Sequence, residues 1–416
     1  MSSNGEVRLI KGELVVSSMS SPEMKRKRKR KRKTTPPTIT KKKKKPSTTP
    51  QSSPIPSLPY DLVLNIVARV PRLYHPTLSL VSKSFRSLLA SPELYKVRSL
   101  IGNIESCLYV CINWFPEGFR WFTLCRKPDQ TLTNDEKKKS SGYVLASVPM
   151  TNTPHADFAG VVALGSDIYN IGVPSSREAS SSSVFILDCR SHTWRQAPSL
   201  PVELFTVSVG LIDGKKIYAA GFFDANSEDK NSLSVFDPKT QAWDPVPIPC
   251  SEPLGVFYSH SACIDGKLHV AAQNMNVAYN FKEARWDSSP RVIYYHMISN
   301  SFCVVENVLY SASHGAFKWF DTKAGWRVLQ GLVGLPKFPH DSCVRLGNFG
   351  GKLAVLWETI PYGNVYCSHI KKMIWCAVIE LERRPNCEIW GKVEWFDHVL
   401  TVSIYSTPES VVSATV

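Results

Sequence analysis

The chain has 416 residues, 43% of them hydrophobic, and a formal net charge of +15. This length suits two or three average domains, and the apolar content is ordinary for a packed globular core rather than for a disordered or membrane-embedded chain. The most hydrophobic windows, such as Met373 to Ile379, are far too short to span a bilayer, and Met1 to Ser20 lacks the long apolar stretch of a secretory leader.

The charge is concentrated at one end. Residues 1–46 carry 16 Lys and Arg against three acids, while the remaining 370 carry 34 against 32, so the folded part is expected to be nearly neutral. The excess lies in Lys25, Arg26, Lys27, Arg28, Lys29, Arg30, Lys31, Arg32 and Lys33, and again in Lys41 to Lys45. Ser, Thr and Pro fill the gaps and leave no apolar set to bury, so residues 1–54 are expected to form a disordered basic tail. Such runs serve as nuclear import signals, as nucleic-acid contacts, or as plain solvated tails. No stacking aromatic is interleaved with the charges, as a single-strand binder often has. The preferred use is therefore nuclear import through an import receptor, with a cytoplasmic pool allowed and any nucleic-acid contact confined to the tail. No membrane partner is expected. Eleven Cys are scattered through apparent strands without a C-x-x-C pair, which points to reduced, buried thiols rather than a zinc site or disulfide framework.

From Pro56 to about Leu100 the pattern is helical. Leu62, Ile66 and Val70 fall at i, i+4 and i+8, with Val63 and Val67 as a neighbouring apolar row, and Pro71 stops that helix. Pro76 opens a second helix, in which Leu78, Val81, Phe85, Leu88 and Leu89 keep helical spacing. Ser91-Pro92-Glu93 combines an N-cap, a first-turn proline and an acid suited to the helix dipole, so a third helix starts there. A bundle of about 40 residues rarely buries enough surface to be stable alone, yet its first helix is apolar on two sides. Either the bundle packs on the domain that follows, or it completes its core on another protein.

From Phe158 onward the chain repeats itself. Each unit opens with two strands about a tight turn: GVVALGSDIYNIG, VGLIDGKKIYAAG, SACIDGKLHVAAQ, FCVVENVLYSAS and VRLGNFGGKLAVLW. Asp213-Gly214 and Asp265-Gly266 are two-residue hairpin signals, and Gly350-Gly351 and Glu306-Asn307 stand at matching places. A second hairpin then ends in Trp194, Trp243, Trp286, Trp326 or, more loosely, Trp390. Asp188, Asp237 and Asn280 each precede their Trp by six residues and Asp321 by five. An Asp or Asn there suits a reverse turn through its side chain, and the Trp supplies packing area between sheets. Two hairpins make a four-stranded antiparallel blade. Residues 106–148 are also strand-like. With Trp121 as the Trp of a further blade and residues 392–406 completing it, the total is six blades, followed by a flexible tail over 407–416.

The residues Leu58-Pro59-Tyr60-Asp61-Leu62, Ile66, Arg69-Val70-Pro71, Leu80 to Leu88 and Ser91-Pro92-Glu93-Leu94 closely resemble the F-box. The repeats resemble the kelch family, and their order resembles plant-type F-box/kelch proteins across residues 56 to about 405. The resemblance implies a mainly β chain: a three-helix F-box over 55–100, then a kelch-type β-propeller over 101–406. The double glycine usual after the second strand is reduced here to Gly172 and to Gly221. The resemblance also implies docking on a Skp-type adaptor, and through it a cullin-based ubiquitin ligase, with the adaptor surface at Leu58, Pro59, Leu62, Ile66 and Val81.

No H-E-x-x-H, P-loop or G-x-S-x-G pattern is present, and the ten His are dispersed, so catalytic, cofactor and metal residues are not expected. A propeller of this kind is a recognition platform by analogy of fold. The two hairpin turns of a blade share one face, and the loops after second strands share the other. Those loops vary in sequence, and binding residues favour variable loops on a rigid scaffold. Phe222, Phe223, Asn274, Asn276, His314 and Tyr362 are the candidates for contact with a client protein. The function read from the sequence is a ligase substrate receptor. The alternative is a non-catalytic nuclear scaffold or nucleic-acid-associated protein that binds through its tail.

Overall fold

The computed structural model describes residues 58–127, 142–149, 154, 158–172, 180–225, 228–248, 255–297, 301–313, 315–338, 343–360, 371–385 and 388–416. The basic tail with Lys25 to Lys33, together with His314 and Tyr362, lies outside them.

The helical unit comprises α1 (Tyr60–Ala68), a 3₁₀ turn (Arg72–Tyr74), α2 (His75–Leu78), α3 (Lys83–Leu89) and α4 (Pro92–Leu100). The third expected helix starts as predicted, with the Ser91 hydroxyl accepting from the Leu94 amide and Pro92 in the first turn. The second expected helix is two. Ser82 is extended and its hydroxyl caps α3 by accepting from the Phe85 amide, so the apolar spacing from Leu78 to Leu89 crosses a real break.

Among the described residues the strands form six four-stranded antiparallel sheets, the blades of a β-propeller. The first blade contains β1 (Ser106–Trp114), β2 (Gly118–Arg126) and β3 (Tyr143–Ser147). The second contains β4 (Val161–Leu164), β5 (Asp167–Ile171), β6 (Val184–Asp188) and β7 (Thr193–Gln196). The third contains β8 (Thr206–Ile212), β9 (Lys216–Asp224), β10 (Asp229–Asp237) and β11 (Ala242–Pro245). The fourth contains β12 (Phe257–Ile264), β13 (Lys267–Ala272), β14 (Val277–Asn280) and β15 (Arg285–Ser288), and a short α5 (Arg291–Tyr295) follows it. The fifth contains β16 (Phe302–Val305), β17 (Val308–Ser313), β18 (Ala316–Asp321) and β19 (Gly325–Val328). The sixth contains β20 (Val344–Phe349), β21 (Lys352–Thr359), β22 (Lys371–Arg384) and β23 (Glu388–Ser403).

The ring closes differently from the sequence expectation. Residues 407–416 are not a flexible tail: β24 (Thr407–Thr415) pairs with β1 and is the innermost strand of the first blade. The stretch 392–406, expected to complete that blade, instead supplies most of β23, which pairs with β22 and stays in the sixth blade. Both stretches mix apolar and polar residues, so strand pattern alone did not decide which one pairs across the gap. Trp121 is also reassigned. It sits on β2, the third strand of its blade counted from the axis, whereas Trp194, Trp243, Trp286 and Trp326 sit on fourth strands.

The hairpins follow local chemistry. Asp265-Gly266, Glu306-Asn307 and Gly350-Gly351 all hold two consecutive positive φ values, as two-residue turns of right-twisted strands require. Asp213-Gly214 does the same within a three-residue loop, since Ile212 pairs with Lys216 and Lys215 is the extra residue. In the second hairpins the carboxylates of Asp188, Asp237 and Asp321 accept from the amides of Arg190, Lys239 and Lys323 at 2.8–2.9 Å, and the Asn280 side-chain oxygen accepts from Lys282 at 3.1 Å. The tryptophans tie blades together. Trp243, Trp286 and Trp326 donate from Nε1 to the carbonyls of Pro198, Pro247 and Val292, all in the connection from the preceding blade.

The first strands β24, β4, β8, β12, β16 and β20 touch in sequence around the axis and enclose a cavity of about 1150 Å³. The eight described cysteines are free, and burial pushes every one of their thiols up, that of Cys263 to about 12.

Candidate functional site

The two sides of α1 have different fates. Leu64, Val67 and Ala68 are buried, and Val63 packs with them. Leu58 (54% exposed), Leu62 (47%) and Ile66 (50%) face outward, as does Val81 (64%) on the loop between α2 and α3. Pro59, at the helix N-cap, is exposed as well. The five residues expected to form an adaptor surface thus remain open to solvent. Of the two alternatives left by the sequence, packing on the domain that follows is realised on the inner side, and the outer side stays open. The inner side joins Leu88, Leu89, Leu94 and Tyr95 in one core with Tyr109, Trp121, Ile168 and Leu187 of the first two blades.

Polar groups fix that joint. Arg98 is 1% exposed and donates to the carbonyls of Ala68 (3.1 Å) and Val70 (2.8 Å), and Asn103 donates to Ala68 (2.8 Å), which satisfies the end of α1. Glu105 lies 3.4 Å from Arg98 and accepts from the Arg72 amide at 2.7 Å. The Arg72 guanidinium donates to the Tyr95 hydroxyl, to the Tyr109 hydroxyl (3.3 Å) and to the Cys189 carbonyl (2.7 Å). It therefore spans from the helical unit to the first two blades. His75, beside Arg72 and Arg98, is held down to about 3, first by burial and then by those two cations. No signal in the sequence marks Arg72 or Arg98 as interior residues, since long cations are almost always exposed.

Connectivity places the helical unit on the face of the hairpin turns. It meets the Asp188–Thr193 turn and the end of β1 that pairs with the end of β24. The opposite face carries the loops after second strands and the links between blades, and it holds the described client candidates. Phe222 is half-buried and stacks on Phe205 at 5.6 Å and 21°. Phe223 leans the other way, into the core between the second and third blades. Asn274 is exposed, and its carbonyl accepts from Arg291 at 3.2 Å. Asn276 is a correction. It is 7% exposed, its side chain accepts from the Ala272 amide at 3.4 Å and its carbonyl from Ser289 at 2.9 Å, so it shapes its loop from inside.

Exposed aromatics missed by the sequence reading share this open face. They are Phe205, Tyr295 and the Phe115–Tyr405 pair, whose rings lie 5.4 Å apart. They sit on links between blades or on the short loop after β1, where no periodicity separates an outward ring from an inward one. Among the described residues no group of three or more His, Cys, Asp or Glu could hold a metal ion, and no helix is long and apolar enough to cross a membrane.

A family model for the F-box domain matches residues 55–97, and one described as FKB95, Kelch-repeats domain, matches residues 121–400. The chain is 57% identical over 355 residues to the F-box/kelch-repeat protein At5g51250 of Arabidopsis thaliana, covering 83% of this chain and 96% of that one. It is 48% identical over 400 residues to the F-box/kelch-repeat protein At4g39550 of the same plant, covering 93% and 97%. A third, the F-box/kelch-repeat protein At3g06570, is 49% identical over 363 residues, covering 84% and 91%.

Proposed function

The chain belongs to the F-box/kelch-repeat family, and from that premise we propose that it is the substrate receptor of a cullin-based ubiquitin ligase. Its F-box docks on a Skp-type adaptor and its propeller holds a client protein. The observation that carries this reading is the divided first helix. Its inner side is spent on a core shared with the propeller, yet Leu58, Leu62 and Ile66 stay exposed beside it. Solvated apolar side chains grouped on one short helix fit a partner's groove better than water. The chain's own part in the reaction is then proximity: it raises the effective concentration of client lysines at a charged ubiquitin carrier. Within the same proposal, the basic run Lys25 to Lys33 places the receptor in the nucleus. A reporter fused to residues 20–46 and retained in the cytoplasm would remove that part.

The test is capture of a purified Skp-type adaptor by the full chain. Leu62→Asp with Ile66→Asp should weaken capture by at least tenfold, as loss of buried anchor residues does, while the circular dichroism melt stays within a few degrees of wild type. Unchanged capture by a folded double variant would overturn the proposal.

A further inference from the structure

Two kinds of interaction join the helical unit to the propeller, and they act differently. The shared core, with Leu88, Leu89 and Leu94 in one cluster with Trp121, Ile168 and Leu187, holds the two together. Apolar burial favours contact without prescribing its direction. The connection from α4 to β1 anchors one edge: Asn103 donates to the Ala68 carbonyl, and Glu105 exchanges both backbone hydrogen bonds with Val416 at 2.8 and 2.9 Å.

Arg72 supplies the direction. It follows Pro71 at the start of the 3₁₀ turn, with its amide on the Glu105 carboxylate. Its guanidinium donates to three separate elements: the Tyr95 hydroxyl on α4, the Tyr109 hydroxyl on β1 and the Cys189 carbonyl in the turn after β6. It also lies over the Tyr95 ring, 5.3 Å from the centroid. The acceptors interlock in turn. The Tyr109 hydroxyl donates to the same Cys189 carbonyl at 3.1 Å, and the Tyr95 hydroxyl reaches the Arg190 carbonyl at 3.1 Å. A guanidinium is planar and its donors stand in a fixed fork, so contacts made together on a helix and on two blades select one relative orientation. The adaptor candidates lie on the helical unit at the turn face, and Phe222 and Asn274 lie on the opposite face. A tilt at the joint is therefore carried across the depth of the propeller before it reaches a bound client.

We propose that Arg72 is a positioning residue: it fixes the tilt of the propeller on the F-box and so selects which lysines are brought to the ubiquitin carrier. This inference rests on the substrate-receptor reading. In the transfer, the lysine ammonium first gives one proton to solvent. Its amine then bonds to the ubiquitin carbonyl as the carrier's thioester C–S bond breaks, and the surplus amine proton leaves with the sulfur as a thiol. Arg72 takes no part in that chemistry; it decides which amine arrives.

The test uses the full chain with spin labels, attached through a keto amino acid, replacing Arg86 on α3 and Lys323 in the turn after β18, both exposed. Double electron–electron resonance should give one narrow distance when Arg72 is present. Arg72→Met, which keeps an apolar stem and removes the fork, should widen the distribution at least about twofold, and Arg72→Lys should not restore it, since an ammonium is a point charge on a flexible stem. A merely stabilising arginine would lower the melt and leave the width of the folded molecules unchanged. Tyr109→Phe keeps its ring in the core and removes one anchor, so it should widen the distribution less and serves where Arg72→Met folds poorly. Adaptor capture by each folded variant should stay within about threefold of wild type. In the reconstituted ligase the receptor's own propeller lysines are the probe acceptors, and mass spectrometry should find more of them modified in Arg72→Met than in wild type. Widths and lysine patterns equal to wild type in the folded variants, or full restoration by lysine, would overturn the positioning role. Absence of adaptor capture by the wild-type chain, with the distance results as expected, would overturn the ligase reading and leave the hold of Arg72 on the joint standing.

Discussion

His75 lies within the joint between the F-box and the propeller, where two arginines are its neighbours, and this makes a measurable prediction. Its folded-state value of about 3 lies below the ordinary imidazole value, about 6.5 in an unfolded chain. The native state therefore binds fewer protons than the unfolded state between those values. The corresponding stability is complete above about pH 6.5 and is lost as pH falls toward 3. At pH 5 the loss amounts to about 2 kcal/mol. Urea denaturation at pH 7.5 and pH 5 should show it, and His75→Leu should shrink the difference by a comparable amount. His192, held down to about 4 by burial and Arg72, keeps its own contribution in that variant. An acid dependence unchanged by the substitution would exclude His75 as its source. Residue by residue, helical spacing set Leu62 and Ile66 in one apolar row and Val63 and Val67 in another, and the resemblance to the F-box marked the first as the adaptor surface. The sequence could not mark Arg72, Arg98 or Asn276, because a polar residue that turns inward has the same letter as one that does not.

Blade elements were the most legible part of the chain, since Asp-Gly turns, the Asx residue of the second hairpin and the trailing Trp each act through local geometry. What the letters hide is close approach between backbones. Gly221, half of the glycine pair usual in such repeats, has an ordinary φ, yet a Cβ there would stand 1.9 Å from the Thr206 carbonyl oxygen. Gly214 is the reverse case, with nothing within 4 Å but a left-handed φ of +61. Gly221→Ala should therefore force the strands β8 and β9 apart and cost about 1–3 kcal/mol or more, as overpacking does. Gly214→Ala should cost about 1 kcal/mol from backbone strain alone. Equal costs by urea denaturation would mean that the inner ladder yields more readily than its geometry suggests. The break at Ser82 belongs to the same scale. Its cap was readable in principle, but a continuing apolar period concealed it.

At the scale of the molecule, the order of the repeats foretold six blades but not how the ring closes, because closure depends on partners more than 290 residues apart in the chain. The closing strand β24 pairs along β1 from Ser106 to Asn113 and packs on both of its neighbours, β4 and β20. Its Val411 is buried in the core between the first and sixth blades, while Ala414 and Val416 are buried in the core that the F-box shares. Removing residues 407–416 would thus strip one ladder, two inter-blade contacts and part of the seat of the F-box, and leave β1 as an unpaired edge. A chain ending at Ser406 is expected to elute as aggregate in size exclusion, and any monomer should melt at least about 10 °C lower, since a deficit of several kcal/mol shifts a domain this large by that order. It should also capture the adaptor poorly although every outward F-box residue is intact, because α1 presents Leu62 and Ile66 only while its inner side is seated. If the truncated chain melted like the full one, β24 would be dispensable and the ring would hold without it.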